Sequence, residues 1–237
     1  EEIIIDPNKY FEGSQVVGIN SKKASEKYNI RGLADQNKEY PSGSIFTLNN
    51  WQFKVFNYKQ QFRRQILLNL LKKDSIKIKK LSDVKYISDK QAALQEIYEN
   101  VEGTINQNSL VLYSGVDPEK KSYSKTCSSV RLINRCLGCL YTGDYYASGG
   151  YHFKQLKKRF EKYWDNIGTI QVPHHGAEDG FNKELYKNKV AAVISYRSDS
   201  RIHPAKSTKD GIQESGSIAI PVTENVNSVY RECIIKK

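Results

Sequence analysis

The chain has 237 residues, 38% hydrophobic and 27% charged, which excludes a disordered or collagen-like polymer. Its 37 Lys and Arg against 26 Asp and Glu leave a formal net charge of +11, so the expected partner is anionic: a nucleic acid, a nucleotide or a membrane surface. The longest apolar run is far short of a membrane span, and four cysteines (Cys127, Cys136, Cys139 and Cys233) are too few for a disulfide scaffold.

In chain order, Glu2 to Ile5 and Gln15 to Ile19 read as short buried strands. Residues 20–43 are polar and turn-rich. Ser44 to Leu48 and Trp51 to Phe56 alternate around Asn49-Asn50, which predicts a hairpin with Trp51, Phe53 and Val55 on one face. Residues 59–101 change character. Phe62, Ile66, Leu67, Leu70 and Leu71 recur at helical spacing, as do Leu94, Ile97, Tyr98 and Val101. This predicts a helical insertion interrupted by the basic run Lys72, Lys73, Lys77, Lys79 and Lys80.

Residues 108–114 predict a strand and residues 115–128 a loop. In Cys136-Leu-Gly-Cys139, Gly138 lies between alternating runs. That favours a hairpin turn, with Arg131 to Arg135 as one strand and Cys139 to Tyr141 as the next, over a zinc or redox site. Ser148-Gly149-Gly150 breaks the chain before a helix expected at 152–164. There Phe153, Leu156, Phe160 and Tyr163 form an apolar stripe, while Lys154, Lys157, Lys158 and Lys162 face outward. Gly168 to Val172, Val190 to Ser195, Ser217 to Val222 and Val229 to Ile235 complete the predicted strands. Strands first, then strands alternating with helices, give an α+β chain of one domain over 1–237.

Two of these strands end in chemistry. Leu140-Tyr141-Thr142-Gly143-Asp144 places a carboxylate after one strand; Val172-Pro173-His174-His175-Gly176 places two imidazoles after another. Carboxylate and imidazole together suit zinc, manganese or iron. The bland alternative is a Thr-Gly-Asp turn and a polar His-His loop.

The ordered set resembles the metallo-β-lactamase superfamily. Its closest branch is similar to the hydrolase domain of bacterial DNA-uptake (competence) channel proteins and their free-standing relatives. Asn108-Ser109-Leu110-Val111-Leu112 resembles that branch's strand upstream of Thr-Gly-Asp, and Val193-Ile194-Ser195 followed by His203-Pro204 resembles its late segment. The likeness covers residues 108–235 well and 1–58 in outline. It implies an αββα sandwich of two mixed sheets flanked by helices. It also implies a two-metal site of zinc or manganese, with Asp144 bridging the ions and His174 on the second ion. His175 is then a neighbouring ligand or a group orienting it, and His203 contacts a substrate phosphate or donates a proton. His152 has no counterpart and reads as a surface residue at a helix start. The implied setting is bacterial and cytoplasmic.

The sequence departs from the family at the first metal site. The H-x-H-x-D-H motif is absent, and His152, His174, His175 and His203 are the chain's four histidines. Glu1 to Pro7 resembles the strand that follows this motif. The missing ligands are therefore expected on a preceding segment or a partner chain, or have been lost in a metal-poor relative. Three functions compete: a metal-dependent phosphodiester hydrolase with the lysines on the α-helix drawing in nucleic acid, a non-catalytic nucleic-acid-binding module, and a hydrolase of a small thioester or lactam. The charge disfavours the third.

Overall fold

The computed structural model describes residues 42–48, 50–58, 61–73, 91–101, 109–120, 123–128 and 136–236. The strands expected at 2–5 and 15–19, most of the stretch 20–43, Lys77 to Lys80 and the strand expected at 131–135 lie outside the described residues.

The predicted hairpin forms. Strand β1 (Ile45–Leu48) pairs antiparallel with β2 (Trp51–Asn57), Leu48 opposite Trp51. The buried face of β2 carries Gln52 and Phe56, whereas Trp51, Phe53 and Val55 are only half-buried. Gln52 tolerates burial because both ends of its amide are bonded: Tyr163 Oη donates to its Oε1 at 2.8 Å and its Nε2 donates to Asp117 at 2.9 Å.

Helices α1 (Gln61–Lys73) and α2 (Gln91–Glu99) occupy the predicted insertion and bury Leu71, Leu94 and Ile97 in a small cluster of their own. Phe62, counted in the apolar stripe of α1, is exposed instead.

Strand β3 (Leu110–Val116) pairs antiparallel with β2 and with β5 (Gly138–Tyr141). From β5 the sheet turns parallel, through β6 (Ile167–Gln171), β7 (Ala191–Ser195) and β8 (Ile218–Val222). The result is a seven-stranded mixed sheet in the order β1-β2-β3-β5-β6-β7-β8, beside a two-stranded pair of β4 (Tyr123–Ser128) and β9 (Glu232–Lys236). A mixed α+β architecture therefore stands. Strand β4 corrects the loop expected over 115–128: it pairs antiparallel with β9, a partner over a hundred residues away that local turn residues do not reveal.

Gly138 is a second correction. It opens strand β5, paired with Ile167, and makes no hairpin turn. Its missing side chain has a packing role, because a Cβ there would lie 2.4 Å from Cε2 of the buried Tyr113. The nearby Cys136 donates its thiol hydrogen to the Asp165 carbonyl at 3.2 Å.

Helix α3 (Gly150–Arg159), followed by a 3₁₀ segment (Glu161–Asn166), crosses back from β5 to β6 as the parallel pairing requires. Its predicted stripe is the centre of the core: Phe153, Leu156, Phe160 and Tyr163 are all buried against Phe56, Tyr113, Leu140 and Ile170. Helix α4 (Lys206–Glu214) closes the β7–β8 crossover and buries Thr208, Gly211 and Ile212. Its stripe is short and broken by Gly211, so the sequence pattern does not announce it. The second face of the sheet is also engaged, since Thr169 Oγ1 donates to Glu232 Oε1 at 2.9 Å at the head of β9. Among the described residues no helix is long and apolar enough to cross a membrane.

Candidate metal centre

The strand directions fix which ends meet. Strand β2 ends where β3 begins, Asn57 opposite Leu110, and β3 begins beside the end of β5. Strands β5, β6 and β7 run parallel. Tyr58, Ser109, Asp144, His174 and the loop after Ser195 therefore share one sheet edge, the carboxyl edge of the parallel half. Such edges hold ligand sites in open α/β sheets, because successive loops leave them in different directions.

Two loops at this edge are joined by hydrogen bonds. Thr142 Oγ1 donates to the Gln171 carbonyl, and the His174 amide donates to the Gly143 carbonyl at 3.0 Å. The Asp144 amide donates to Ser109 Oγ at 3.1 Å. Asp144, half-exposed, is thus held by a turn in which Gly143 takes φ +53°.

The Pro-His-His-Gly loop is strained. His174 (φ 48°), His175 (φ 55°) and Gly176 (φ 81°) are successive left-handed residues. Side chains at positive φ cost about 1–3 kcal/mol where the surroundings impose it, and such cost gathers at functional sites. Gly176 has no room for a side chain, because a Cβ would lie 2.7 Å from Pro204 Cβ and 3.1 Å from Ile194 Cγ2. That approach brings the His203-Pro204 segment onto the loop, where the Ala205 amide donates to the Gly176 carbonyl at 3.0 Å.

Three imidazoles consequently face one another. Ring centroids are 5.6 Å apart for His174 and His203, 6.2 Å for His175 and His203, and 6.3 Å for His174 and His175. His175 Nδ1 lies 2.8 Å from the Ser195 carbonyl, which only accepts, so Nδ1 carries the hydrogen. His174 Nδ1 lies 3.1 Å from Asp179 Oδ1, to which it donates in the same way. A carbonyl or carboxylate behind an imidazole is the arrangement that orients metal-binding histidines. His203 Nδ1 is buried and has no hydrogen-bond partner among the described residues. Burial first, then the neighbouring His174 and His175, hold the His203 pKa below its ordinary 6.5, with Asp179 opposing. Its imidazole is therefore neutral at pH 7, suited to a hydrogen bond or a ligand bond.

The donor chemistry fits zinc or manganese, but the set is incomplete: among the described residues no three His, Cys, Asp or Glu side chains come within reach of one ion.

Of the predicted lysines, Lys154, Lys157 and Lys158 are exposed on α3. Lys157 also lies over the Trp164 ring at 6.0 Å. Lys162 lies apart from these three. It precedes β6 and pairs with Glu119, after β3, at 2.8 Å, which puts it at the opposite sheet edge. His152 also departs from its reading as a surface residue. It is half-buried, its ring 4.3 Å from Tyr58 and 5.5 Å from Tyr146. The tyrosines around the site were not singled out by sequence reasoning; Tyr145-Tyr146 directly after Asp144 is the signal that marks them.

Compared with known proteins, the chain matches no family model, no curated protein and no solved structure.

Proposed function

We propose that the chain is a metal-dependent hydrolase of the metallo-β-lactamase type, acting on a phosphodiester in a nucleic acid or nucleotide. The observation that carries the reading is the trio of imidazoles gathered beside the Asp144 turn at the carboxyl edge. The β9 end against the second sheet face supports the finer αββα sandwich reading. Zinc or manganese, when bound, would supply hydroxide at neutral pH and neutralise charge on the phosphoryl group.

The chain's own residues divide the remaining work. Asp144 would supply its carboxylate to the metal. His174 and His175 would help to hold the metal, each with its Nδ1–H directed to an acceptor behind the ring. His203, neutral, hydrogen-bonds a substrate phosphate oxygen from its N–H. The remaining ligands would come from outside the described residues. The net charge of +11 draws the anionic substrate in.

A second reading, a nucleic-acid-binding module without catalysis, is favoured by the incomplete ligand set. Hydrolysis of an activated phosphodiester and of an oligonucleotide, with and without zinc or manganese, separates the two. The hydrolase reading expects metal-dependent turnover that falls at least about 100-fold in Asp144→Asn and in His174→Ala. Binding of the oligonucleotide with no turnover under either metal would return the non-catalytic module.

A further inference from the structure

At the carboxyl edge, beside Asp144, aromatic side chains crowd around the first turn of α3. His152 lies against Tyr58 at 4.3 Å, Tyr146 at 5.5 Å and Tyr145 at 6.5 Å, and Tyr151 meets Tyr58 edge-on at 6.2 Å. Tyr145 is fully buried, and its hydroxyl donates to the His152 carbonyl at 2.8 Å. That bond ties the helix start to the Asp144 turn. Tyr58, Tyr146 and His152 are half-buried, whereas Tyr151 is 63% exposed.

A large ring left in water gains nothing for the fold by burial. Tyr151 is nevertheless backed by Tyr58, which restricts where its ring can go. Its neighbours along the exposed face of α3 are basic. Lys154 and Lys158 follow at helical spacing and are both exposed. They lie about 4.5 Å and about 10 Å further along the helix axis. Among the described residues neither lysine is in an ion pair.

We propose that Tyr151, backed by Tyr58, is a stacking platform for a base of single-stranded nucleic acid, with Lys154 and Lys158 contacting the phosphates that follow. Aromatic faces beside a basic track are the means by which proteins hold single strands without reading sequence. A duplex does not fit this platform, since its bases are stacked on one another and unavailable to Tyr151. The inference rests on the hydrolase reading for one clause only, that the stacked base lies next to the reacting phosphodiester. It names the substrate class as single-stranded.

The test is equilibrium binding to the full chain, in EDTA, of a fluorescein-labelled oligo-dT and of an abasic oligomer with the same phosphates. The wild type is expected to prefer the base-bearing strand by about tenfold or more. Tyr151→Leu is expected to erase that preference and leave abasic binding unchanged. Tyr151→Phe, which keeps the ring, is expected to retain it. Lys154→Gln with Lys158→Gln should weaken both oligomers alike. Equal wild-type affinity for the two oligomers would overturn the proposal, as would a preference that survives Tyr151→Leu, or no binding of either strand. Metal is absent throughout, so the result stands apart from catalysis. A base preference without metal-dependent turnover sinks the hydrolase and keeps the platform.

Discussion

Gly176 shows how one residue positions a site. Its φ of +81° and its contact with Pro204 leave no place for a methyl group. Gly176→Ala should cost about 1–3 kcal/mol of stability, read as a lower denaturation midpoint. It should also push the His203-Pro204 segment off His174, weakening zinc binding beyond what the stability loss explains. An unchanged midpoint would mean that the loop shifts freely. His152 supports a second residue-scale prediction. Burial holds its pKa below 6.5, and the rings that face it are those of Tyr58, Tyr145 and Tyr146. Between its folded pKa and 6.5 the unfolded chain binds a proton that the fold rejects, so stability falls as pH drops below 6.5 and is unaffected above it. His203, also held low, acts in the same sense. His152→Phe keeps a ring and removes one proton. Its midpoint should therefore fall less steeply than the wild type's between pH 7 and pH 5, and equal slopes would count against this account.

At the scale of elements, α3 is the part most plainly written in the sequence. Its stripe of Phe153, Leu156, Phe160 and Tyr163 is buried as predicted, because four apolar residues at helical spacing have one face to share. Phe160→Ala should cost about 3–5 kcal/mol, the range for a fully buried ring. The strands ending at Asp144 and His174 were legible for the same reason: each is an apolar run closed by turn residues. What stayed illegible depended on distant partners. Strand β4 exists through β9, and Gly138 is needed by the Tyr113 ring rather than by a turn. The lysines of α3 were legible as charges and not as positions, since the crossover carries Lys162 to the other edge. This yields an internal control. Replacing Lys154, Lys157 and Lys158 with Gln should flatten the salt dependence of single-strand binding by up to about 0.7 per lysine in log–log slope. Lys162→Gln should leave that slope unchanged. If Lys162→Gln alone flattened it, the binding surface would lie at the Glu119 edge.

Across the whole molecule, the change from antiparallel to parallel pairing at β5 divides the sheet into a margin and a scaffold. The central parallel strands β6 and β7 are mostly buried beneath α3 and α4. The margins are weaker. Strand β1 alternates exposed and half-buried residues, and β8 has Pro221 opposite Ile194, a residue that an interior strand rarely tolerates. The Asp144 turn, the His-His loop and the loop to His203 are all rooted in β5, β6 and β7. A site that must hold strained histidines needs such a base, because positive-φ residues persist only where the surroundings do not yield. Native-state hydrogen exchange measures this directly. The amides of Ile167 to Ile170 and Ala191 to Ile194 should exchange only by global unfolding, and those of Ile45 to Leu48 orders of magnitude faster through local fraying. Adding zinc should slow the His174 and His175 amides if ligand binding stabilises their loop, and should leave β1 unaffected. Exchange in β6 as fast as in β1 would mean that the strain at His174 and His175 is not supported by the sheet, and that the imidazole trio is one arrangement among several.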